Sequence, residues 1–327
     1  MGLSGSFLIS RAVQVVAELG VADLVTGKAR TLDELAEATR TRPDALGRLL
    51  RPLVGCGLFT CDADGAYAST ALSRLLESGH EDSLRPWFQL GYRLTYRMLD
   101  DPISTLRTGT PSFQQRFGAS FFEHLARHPD DLAVFNAAMA CLTRRTARAV
   151  ADAYDFGTVG RIGDIGGGLG TLLAEICARN PHVGGFVLDQ SHQVEAARAA
   201  LDARGLRDRC TASAGDFFTA VPPADMYLLS WILHDWDDDE ALRILHNCRR
   251  ANGDPSARLL IVEAVLPEQP GLDAATVLDL VMLFGLGGRE RTASQYAALL
   301  AKSGYRHTRT IEIGVAGMAV IEARPDN

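Results

Sequence analysis

A glycine-rich segment is the first part of this sequence whose spacing could bind a ligand. Gly166, Gly168 and Gly170 follow a short apolar run that contains Asp164, and a helical pattern begins directly after them. Glycines at such a strand-to-helix turn let the backbone approach a ligand closely. The G-x-G-x-x-G spacing of dinucleotide sites would need a glycine at position 171, where the sequence has Thr171. The D-x-G-x-G-x-G spacing therefore favours another ligand, and a purely structural turn is the alternative.

The acidic residues around this loop indicate the charge of the ligand. Asp164 would repel a pyrophosphate but suits a cation, so S-adenosylmethionine, with its sulfonium and ammonium groups, fits better. Asp189 ends the second predicted strand, where a carboxylate can accept hydrogen bonds from both ribose hydroxyls. Asp216 ends the third, where it could accept from an adenine amine while Phe217 or Phe218 covers the ring. Helix N-capping is the alternative for each of these aspartates.

A histidine and two glutamates lie near the ends of the next strands. His234 follows the fourth strand, and its unperturbed pKa would let it accept a proton near neutral pH, although an ordinary turn histidine is the alternative. Glu263 interrupts the apolar fifth strand, where a carboxylate is costly unless it is paired. Glu290, in GGRERT, is a third candidate, with an ion pair to Arg289 or Arg291 as its alternative.

The elements that must position these residues alternate between strand and helix from about residue 161 onward. This alternation predicts an α/β fold with a doubly wound, mostly parallel sheet, and the last two apolar stretches predict an antiparallel pair at one edge. Residues 86–150 read as helices rich in aromatic residues and methionine, which usually pack in a core but could also form a pocket for a flat substrate. His124 and His128 lie there and are interpreted as surface or core histidines.

The N-terminal region has the pattern of a winged helix. An amphipathic helix ends near Leu24, Thr31 and Glu34 have capping-box spacing, a third helix follows, and a hairpin turns at Asp64 and Gly65. Such a unit either binds DNA or serves as a dimerising module. Nine Arg and Lys against eleven Asp and Glu in residues 1–90 favour the dimerising module, because DNA binding needs a positive face.

Composition limits the class of protein further. The 327 residues, 47% of them hydrophobic and 22% charged, suffice for about two domains, and the net charge of -7 argues against nucleic acid as a main partner. The six cysteines form no C-x-x-C pair, so reduced thiols are expected and neither a zinc site nor another metal site is predicted. The sequence lacks a signal-peptide pattern and any run of 18 apolar residues, which predicts a cytoplasmic protein without a membrane partner.

Five segments together resemble the S-adenosylmethionine-dependent O-methyltransferases of the caffeic acid and hydroxyindole type, including bacterial natural-product members. They are SRAVQVVAELGVADL, DIGGGLGTLLAEI, GDFFTAVPPADMYLLSWILHDWDDDEALRIL, LLIVEAVLP and GGRERT. The resemblance implies a winged-helix dimerisation domain over residues 1–105, linking helices over 106–150 that line the substrate pocket, and a Rossmann-like methyltransferase domain with a seven-stranded sheet over 151–327. It also implies a homodimer.

The resemblance further implies the roles of individual residues. His234 corresponds to the general base, and Asp235, Glu263 and Glu290 to the acidic residues around it. The implied substrate contacts are Phe135, Met139 and Met282. The implied cofactor contacts are Gly166, Gly168, Gly170, Asp189, Gly215, Asp216, Phe217, Phe218 and Ser230, with Ser230 at the position of a lysine in plant members.

The implied reaction is in-line methyl transfer to an aromatic hydroxyl, which His234 deprotonates while a glutamate orients the imidazole. Two alternatives stay open. The same fold could use the cofactor for N- or C-methylation, or for decarboxylation, hydroxylation or cyclisation, because fold does not fix chemistry. The chain could instead be a regulator that binds DNA and senses a metabolite.

Overall fold

The computed structural model describes residues 3–251, 254, 256–315 and 317–326. These residues form two compact units. The first contains the described residues up to 97 together with residues 128–142, and the second contains residues 98–127 and the described residues from 143 onward. Each unit has a hydrophobic core of its own. The boundaries at residues 105 and 150, implied by the resemblance, remain a prediction.

The first unit has the predicted winged-helix elements. Its helices are α1 (Leu3–Leu19), α2 (Val21–Leu24), α3 (Leu32–Thr39), α4 (Pro43–Gly55), α5 (Ala71–Arg74) and α6 (Arg85–Arg93). Its small antiparallel sheet consists of β1 (Arg30–Thr31), β2 (Phe59–Cys61) and β3 (Ala66–Ser69) in the order β1-β3-β2. The amphipathic helix predicted to reach Leu24 is interrupted at Gly20, whose φ of 70° lies in the left-handed region.

Local hydrogen bonds explain why these elements begin and end where they do. The Thr31 hydroxyl accepts from the Glu34 N–H at 3.3 Å, and the Glu34 carboxylate accepts from the Thr31 N–H at 2.8 Å, so the predicted capping box starts α3. Between β2 and β3, the Asp62 carboxylate accepts from the N–H groups of Asp64 and Ala66. The predicted hairpin turn is therefore confirmed.

Four helices follow before the large sheet begins. They are α7 (Pro102–Thr108), α8 (Ser112–Phe117), α9 (Phe121–Arg127) and α10 (Pro129–Ala153), preceded by the 3-10 helix Thr95–Leu99. His124 on α9 is buried, with its ring 5.4 Å from that of Phe113 and 4.8 Å from that of Phe117. It is therefore a core histidine.

The second unit contains the predicted doubly wound sheet. Its strands are β4 (Arg161–Ile165), β5 (Gly184–Asp189), β6 (Cys210–Ala214), β7 (Met226–Ser230), β8 (Arg258–Leu266), β9 (Arg291–Thr292), β10 (Tyr305–Glu312) and β11 (Met318–Pro325). The helices are α11 (Thr171–Arg179), α12 (Val194–Ala203), α13 (Asp238–Ala251), α14 (Ala274–Val281) and α15 (Ala293–Lys302), with a 3-10 turn at Leu233–Asp235 and a π-helical turn at Met282–Leu286.

The strand order decides where a ligand can bind. Seven strands run in the order β10-β11-β8-β7-β4-β5-β6, and the two-residue β9 pairs with the end of β8. β4 to β8 pair in parallel, whereas β10 and β11 form the predicted antiparallel edge. The chain order reverses between β4 and β7, which is the switch point where ligands bind in such sheets. The carboxyl ends of β4 to β8 therefore frame the candidate site.

Within the described residues, no helix combines the length and apolarity required to cross a membrane.

Candidate active site

The loop after β4 makes an open cradle of glycines. Gly166, Gly168 and Gly170 all have φ between 55° and 70°, a region that side chains with a Cβ rarely adopt. A Cβ at Gly166 would lie 2.4 Å from the Ile232 side chain, whereas a Cβ at Gly168 would meet nothing within 4 Å. The loop is thus closely packed at its start and open in its middle, where a ligand can approach the backbone.

Asp164, the acidic residue ahead of this loop, lies behind it. The side chain is 1% exposed, and its carboxylate lies against Gly167, where a Cβ would be 2.4 Å from the carboxylate carbon. Burial raises the pKa of Asp164 to about 7, although a backbone hydrogen bond from Leu173 acts to lower it. Asp164 therefore packs against the loop at Gly167 and is shielded from solvent.

Asp189 and Gly215 connect the ends of the next two strands to the loop. One carboxylate oxygen of Asp189 accepts from the Gly168 N–H at 2.8 Å, and the other accepts from the Gln190 N–H at 2.7 Å. The Gly215 N–H donates to the Asp189 carbonyl at 2.9 Å. Burial raises the pKa of Asp189. Each carboxylate oxygen keeps a lone pair, so the predicted ribose contact is compatible with these bonds.

Asp216 follows β6 and is exposed. Its carboxylate accepts from the Phe218 N–H and from the Thr219 hydroxyl, both at 2.9 Å. The side chain therefore caps a turn, which is close to the N-capping alternative, although the cap stabilises a turn and not a helix. An adenine contact for Asp216 remains a prediction.

Four aromatic rings lie together beside the glycine loop. The Phe217 and Phe218 rings are 4.9 Å apart, and the Trp236 ring lies 4.7 Å from Phe218 and 6.1 Å from Phe217. Phe122 on α9 stacks on Trp236, with the ring centroids 6.1 Å apart. Sequence reasoning selected Phe217 and Phe218 but missed Trp236, which follows His234 by two positions in the HDW segment.

His234 lies in the 3-10 turn after β7, surrounded by carboxylates. Its Nδ1 is 2.6 Å from Glu290 Oε1 and 3.7 Å from Glu263 Oε2, and its Nε2 is 3.4 Å from Asp235 Oδ1. All four side chains are largely buried. The four residues implied by the resemblance are thus close together in space, although 56 positions separate His234 from Glu290 along the chain.

Backbone groups hold these side chains in place. Glu263 Oε1 accepts from the Ile232 and Leu233 N–H groups at 2.8 and 2.9 Å, so the carboxylate fixes the start of the histidine turn. The Arg289 N–H donates to the His234 carbonyl at 2.8 Å. The Glu290 N–H donates to the Asp279 carboxylate at 2.8 Å, which anchors the other side. Asp279 was not selected from the sequence.

The charges of this cluster change its protonation. Burial acts on His234 to lower its pKa, but the charges of Glu263, Glu290 and Asp235 together outweigh burial and raise the pKa to about 10. For the carboxyl groups burial acts in the opposite direction, and it raises the pKa of Glu263 and that of Asp235 to about 7. An isolated histidine has a pKa of about 6.5, whereas the fold makes this imidazole a much stronger base.

The alternative interpretation of Glu290 is wrong. Arg291 pairs with Asp238 at 2.8 Å, while the ion pair of Glu290 is with His234. Trp231 is another neighbour that the sequence did not reveal. Its φ of 59° is unusual for a residue with a side chain, and its ring lies 5.4 Å from that of His234.

The cluster also contains a group of atoms that could hold a metal ion. One nitrogen of His234 and one carboxylate oxygen each of Glu263 and Glu290 lie within 4.8 Å of one another. The 2.6 Å separation of Nδ1 and Oε1 is that of a short charge-assisted hydrogen bond. The expected absence of a metal site stays a prediction.

The remaining predicted residues lie in different parts of the fold. Ser230 ends β7, and its hydroxyl is buried without a hydrogen-bond partner in the described part of the chain. Met282 is buried in the π-helical turn, which packs against α8. Phe135 and Met139 are half-buried one helical turn apart on α10, in the first unit. No substrate role of these residues follows from their positions alone.

A winged-helix unit, a doubly wound sheet with a glycine loop, and a buried histidine among carboxylates together define a class of methyl-transferring enzymes. The family comparisons agree with this class. Residues 96–306 match the model of the O-methyltransferase domain, and residues 1–79 match that of the O-methyltransferase dimerisation domain. The chain belongs to the O-methyltransferase family. The second match favours the dimerising interpretation of the winged helix over DNA binding.

Curated relatives cover nearly the whole chain. The phenazine O-methyltransferase PhzM of Lysobacter antibioticus is 41% identical over 98% of this chain and 93% of its own length. The mitomycin biosynthesis 6-O-methyltransferase of Streptomyces lavendulae is 37% identical over 96% of this chain and 90% of its own. The aclacinomycin 10-hydroxylase RdmB of Streptomyces purpurascens is 36% identical, over 92% and 82% respectively.

Solved structures have the same fold. The crystal structure of LaPhzM superposes with a TM-score of 0.93 at 40% identity, covering 99% of this chain and 100% of that one. NcsB1, an O-methyltransferase from neocarzinostatin biosynthesis, was solved with S-adenosylmethionine and 2-hydroxy-5-methyl naphthoic acid. It superposes with a TM-score of 0.83 at 32% identity, covering 97% of this chain and 96% of that one.

Proposed function

We propose that this protein transfers a methyl group from S-adenosylmethionine to a hydroxyl oxygen of an aromatic natural product, with His234 as the general base. The observation that carries this proposal is the buried imidazole whose Nδ1 lies 2.6 Å from Glu290, at the carboxyl edge of a sheet with an open glycine loop. The named activities of its O-methyltransferase relatives support the reaction class.

The residues at the strand ends fit the cofactor. The backbone at Gly168 is open, Asp189 keeps free lone pairs, and Ser230 has a buried hydroxyl without a partner among the described residues. The other proposed cofactor contacts are Gly166, Gly170, Gly215, Asp216, Phe217 and Phe218. When bound, S-adenosylmethionine supplies an electrophilic methyl carbon and is released as S-adenosylhomocysteine after the transfer.

His234 is suited to remove the proton of a phenol. A phenol such as tyrosine has a pKa near 10. Transfer of the phenol proton to an imidazole with the usual pKa of about 6.5 would therefore be strongly unfavourable in free energy. The three carboxylates raise the pKa of His234 to about 10, which brings the two groups close to balance. Glu290 then keeps the proton on Nδ1, and Nε2 receives the one from the substrate.

The proposed substrate is a flat aromatic compound that carries a hydroxyl group. Met282 lies in the π-helical turn that packs against α8. We propose that Phe135 and Met139 on α10 contribute apolar surface for a flat ring. NcsB1, solved with a hydroxylated naphthoic acid, supports a fused aromatic acceptor.

Replacement of His234 with Ala tests the base assignment. We expect turnover to fall by about 10²–10⁴-fold, because general-base catalysis contributes that much, with the affinity for S-adenosylhomocysteine unchanged. Methyl transfer to a panel of aromatic hydroxyl compounds, including 1,4-dihydroxy-2-naphthoic acid, would be measured by mass spectrometry from pH 6 to about 11. For wild type, kcat/KM should rise with pH as the imidazolium loses its proton, and the variant should lack this inflection.

His246→Gln is the matched control, because His246 is exposed on α13. It should behave as wild type. Retained turnover in His234→Ala would remove His234 as the base.

One relative keeps the main alternative open to experiment. RdmB is named as a hydroxylase although it is 36% identical to this chain. Stoichiometric formation of S-adenosylhomocysteine and of a product heavier by one methyl group supports methyl transfer, and the position of the label distinguishes oxygen from nitrogen and carbon. Product formation without S-adenosylhomocysteine would contradict the proposal.

We also propose a cytoplasmic location. Five of the cysteines are thiols outside any disulfide, as expected for a reducing compartment: Cys56, Cys61, Cys177, Cys210 and Cys248. Cell fractionation followed by immunoblotting would test this.

A further inference from the structure

We propose that Arg291 is a positioning residue that holds the turn bearing His234 in register with Glu290. The inference rests on the proposed role of His234 and adds a residue that the reaction chemistry alone does not require. Arg291 is 1% exposed and is among the largest fully buried side chains of the described residues.

The guanidinium binds both ends of the histidine turn. Its Nη1 donates to the Leu233 carbonyl at 2.8 Å and its Nη2 donates to the Trp236 carbonyl at 3.0 Å. Leu233 immediately precedes His234 and Trp236 immediately follows Asp235. The two accepting carbonyl groups therefore bracket the His234–Asp235 pair, and their positions depend on one rigid planar group.

The same side chain fixes the helix that follows. Nε and Nη2 of Arg291 donate to Asp238 Oδ1 at 3.0 and 2.8 Å, and Asp238 is the first residue of α13. The segment from Leu233 to Asp238 is thus held at three points by one arginine.

The backbone of Arg291 connects this clamp to both glutamates. Arg291 pairs with Val265 at the end of β8, two residues beyond Glu263, and it directly follows Glu290. Movement of the guanidinium relative to its own backbone would therefore change the distance between His234 and Glu290. The 2.6 Å contact between Nδ1 and Oε1 is the quantity that this geometry protects.

Stability alone does not account for a buried arginine here. Burying a guanidinium is costly, and apolar residues of similar volume often stabilise a core as well or better. The planar fork has five donors in fixed directions, which lysine cannot reproduce. The arrangement is what orientation of a backbone turn requires.

The test compares Arg291→Met and Arg291→Lys with wild type and with His234→Ala. Proton NMR would record the far-downfield Nδ1–H signal of His234, identified by its absence in His234→Ala. Calorimetry would measure S-adenosylhomocysteine affinity, and turnover would be followed from pH 6 to about 11 with 1,4-dihydroxy-2-naphthoic acid and a hydroxyphenazine. For Arg291→Met we expect the signal to be lost or shifted upfield and kcat to fall about 10²-fold, as for a 1 Å misplacement. The inflection in the pH profile should move to lower pH, while affinity for S-adenosylhomocysteine stays within about threefold.

Arg291→Lys should lie between Arg291→Met and wild type, since it keeps the charge but not the fork. Arg309→Met is the control, because it removes an arginine from the buried carboxylate of Glu322 on the antiparallel edge. It should lower thermal stability without changing the NMR signal or the pH profile.

The proposal would be overturned if the Nδ1–H signal and the pH inflection stayed at their wild-type positions in Arg291→Lys or in a folded Arg291→Met. Arg291 would then be a purely stabilising residue. The signal is read without turnover, so it tests the clamp even if none of the acceptors is methylated. Retained turnover in His234→Ala with a shifted signal in Arg291→Met would refute the base assignment and keep the clamp.

Discussion

A single histidine shows how burial and charge compete at the residue scale. Water exclusion disfavours an imidazolium at His234, yet three carboxylates within 3.7 Å of its nitrogens favour it more strongly. Without bound cofactor, the imidazole of His234 is therefore protonated and positively charged below about pH 10. A bound sulfonium would oppose that cation and lower the pKa of His234, because like charges disfavour each other. The same cofactor that supplies the methyl group would thus help to free the base.

Asp164 has no such compensation, because burial and the nearby negative charge of Asp189 both disfavour its ionised carboxylate. Burial raises its pKa to about 7 in the folded chain, against about 3.9 for an unfolded aspartate. The folded state therefore holds a proton that the unfolded state releases between pH 4 and 7, so stability falls as pH rises through that window and stays lower above it.

Asp164→Asn should remove this dependence. Without cofactor, we expect the variant to gain a few kcal/mol relative to wild type between pH 4 and pH 8, because asparagine does not ionise. Urea denaturation at pH 4, 6 and 8 would measure the difference, with Asp208→Asn as an exposed control. Parallel stability curves for wild type and Asp164→Asn would contradict the raised pKa.

At the scale of elements, the site is a set of strand ends joined by short turns. The turn before β9 passes so close to the histidine turn that a Cβ at Gly288 would lie 2.0 Å from the His234 carbonyl oxygen. The Arg289 N–H next to it donates to the same oxygen at 2.8 Å. A glycine here lets two segments of the site touch through their backbones.

Gly288→Ala should separate those segments. We expect the variant to fold with a loss of about 1–3 kcal/mol and to turn over about 10²-fold more slowly, because the alanine methyl pushes the histidine turn away from Glu290. Circular dichroism, thermal unfolding and steady-state kinetics would be compared with Gly79→Ala, where a Cβ meets nothing within 4 Å. Turnover equal to that of the Gly79→Ala control would show that the close approach is not needed.

At the scale of the whole molecule, the N-terminal unit is built to associate. Its residues 1–79 match the O-methyltransferase dimerisation domain, and helix α1 exposes large apolar side chains, among them Phe7 at 52% and Leu8 at 61%. Adjacent apolar side chains on the surface of a soluble protein commonly mark an interface.

We expect a dimer at micromolar concentration in sedimentation equilibrium. The double substitution Phe7→Glu and Leu8→Glu should shift the equilibrium toward monomer, because buried apolar contacts become charged. Leu272→Glu is the control, since Leu272 is 87% exposed and lies outside the dimerisation segment. A wild-type chain that sediments as a monomer at these concentrations would refute the homodimer.

The sequence alone determined those features that depend on local patterns. The Thr31 capping box, the hairpin turn at Gly65 and the alternation of strands and helices depend on neighbouring residues, and all three are confirmed. The glycine loop was recognisable from spacing because left-handed backbone at Gly166 leaves few other residue types possible. His234, Glu263 and Glu290 were candidates because of their chemistry near the predicted strand ends, whereas their roles and that of Asp235 came from the resemblance to a family.

Only the tertiary structure decided how those residues interact. Glu290 had two arginine neighbours in the chain, yet folding pairs it with a histidine 56 positions away and sends Arg291 to Asp238. The fold likewise decides the basicity of His234, the burial of Asp164 and the packing of Trp236 against Phe217 and Phe218, because all three depend on which strand ends are brought together. Charge interactions and solvent exclusion act through space at distances of a few ångströms, and sequence separation carries little information about that distance.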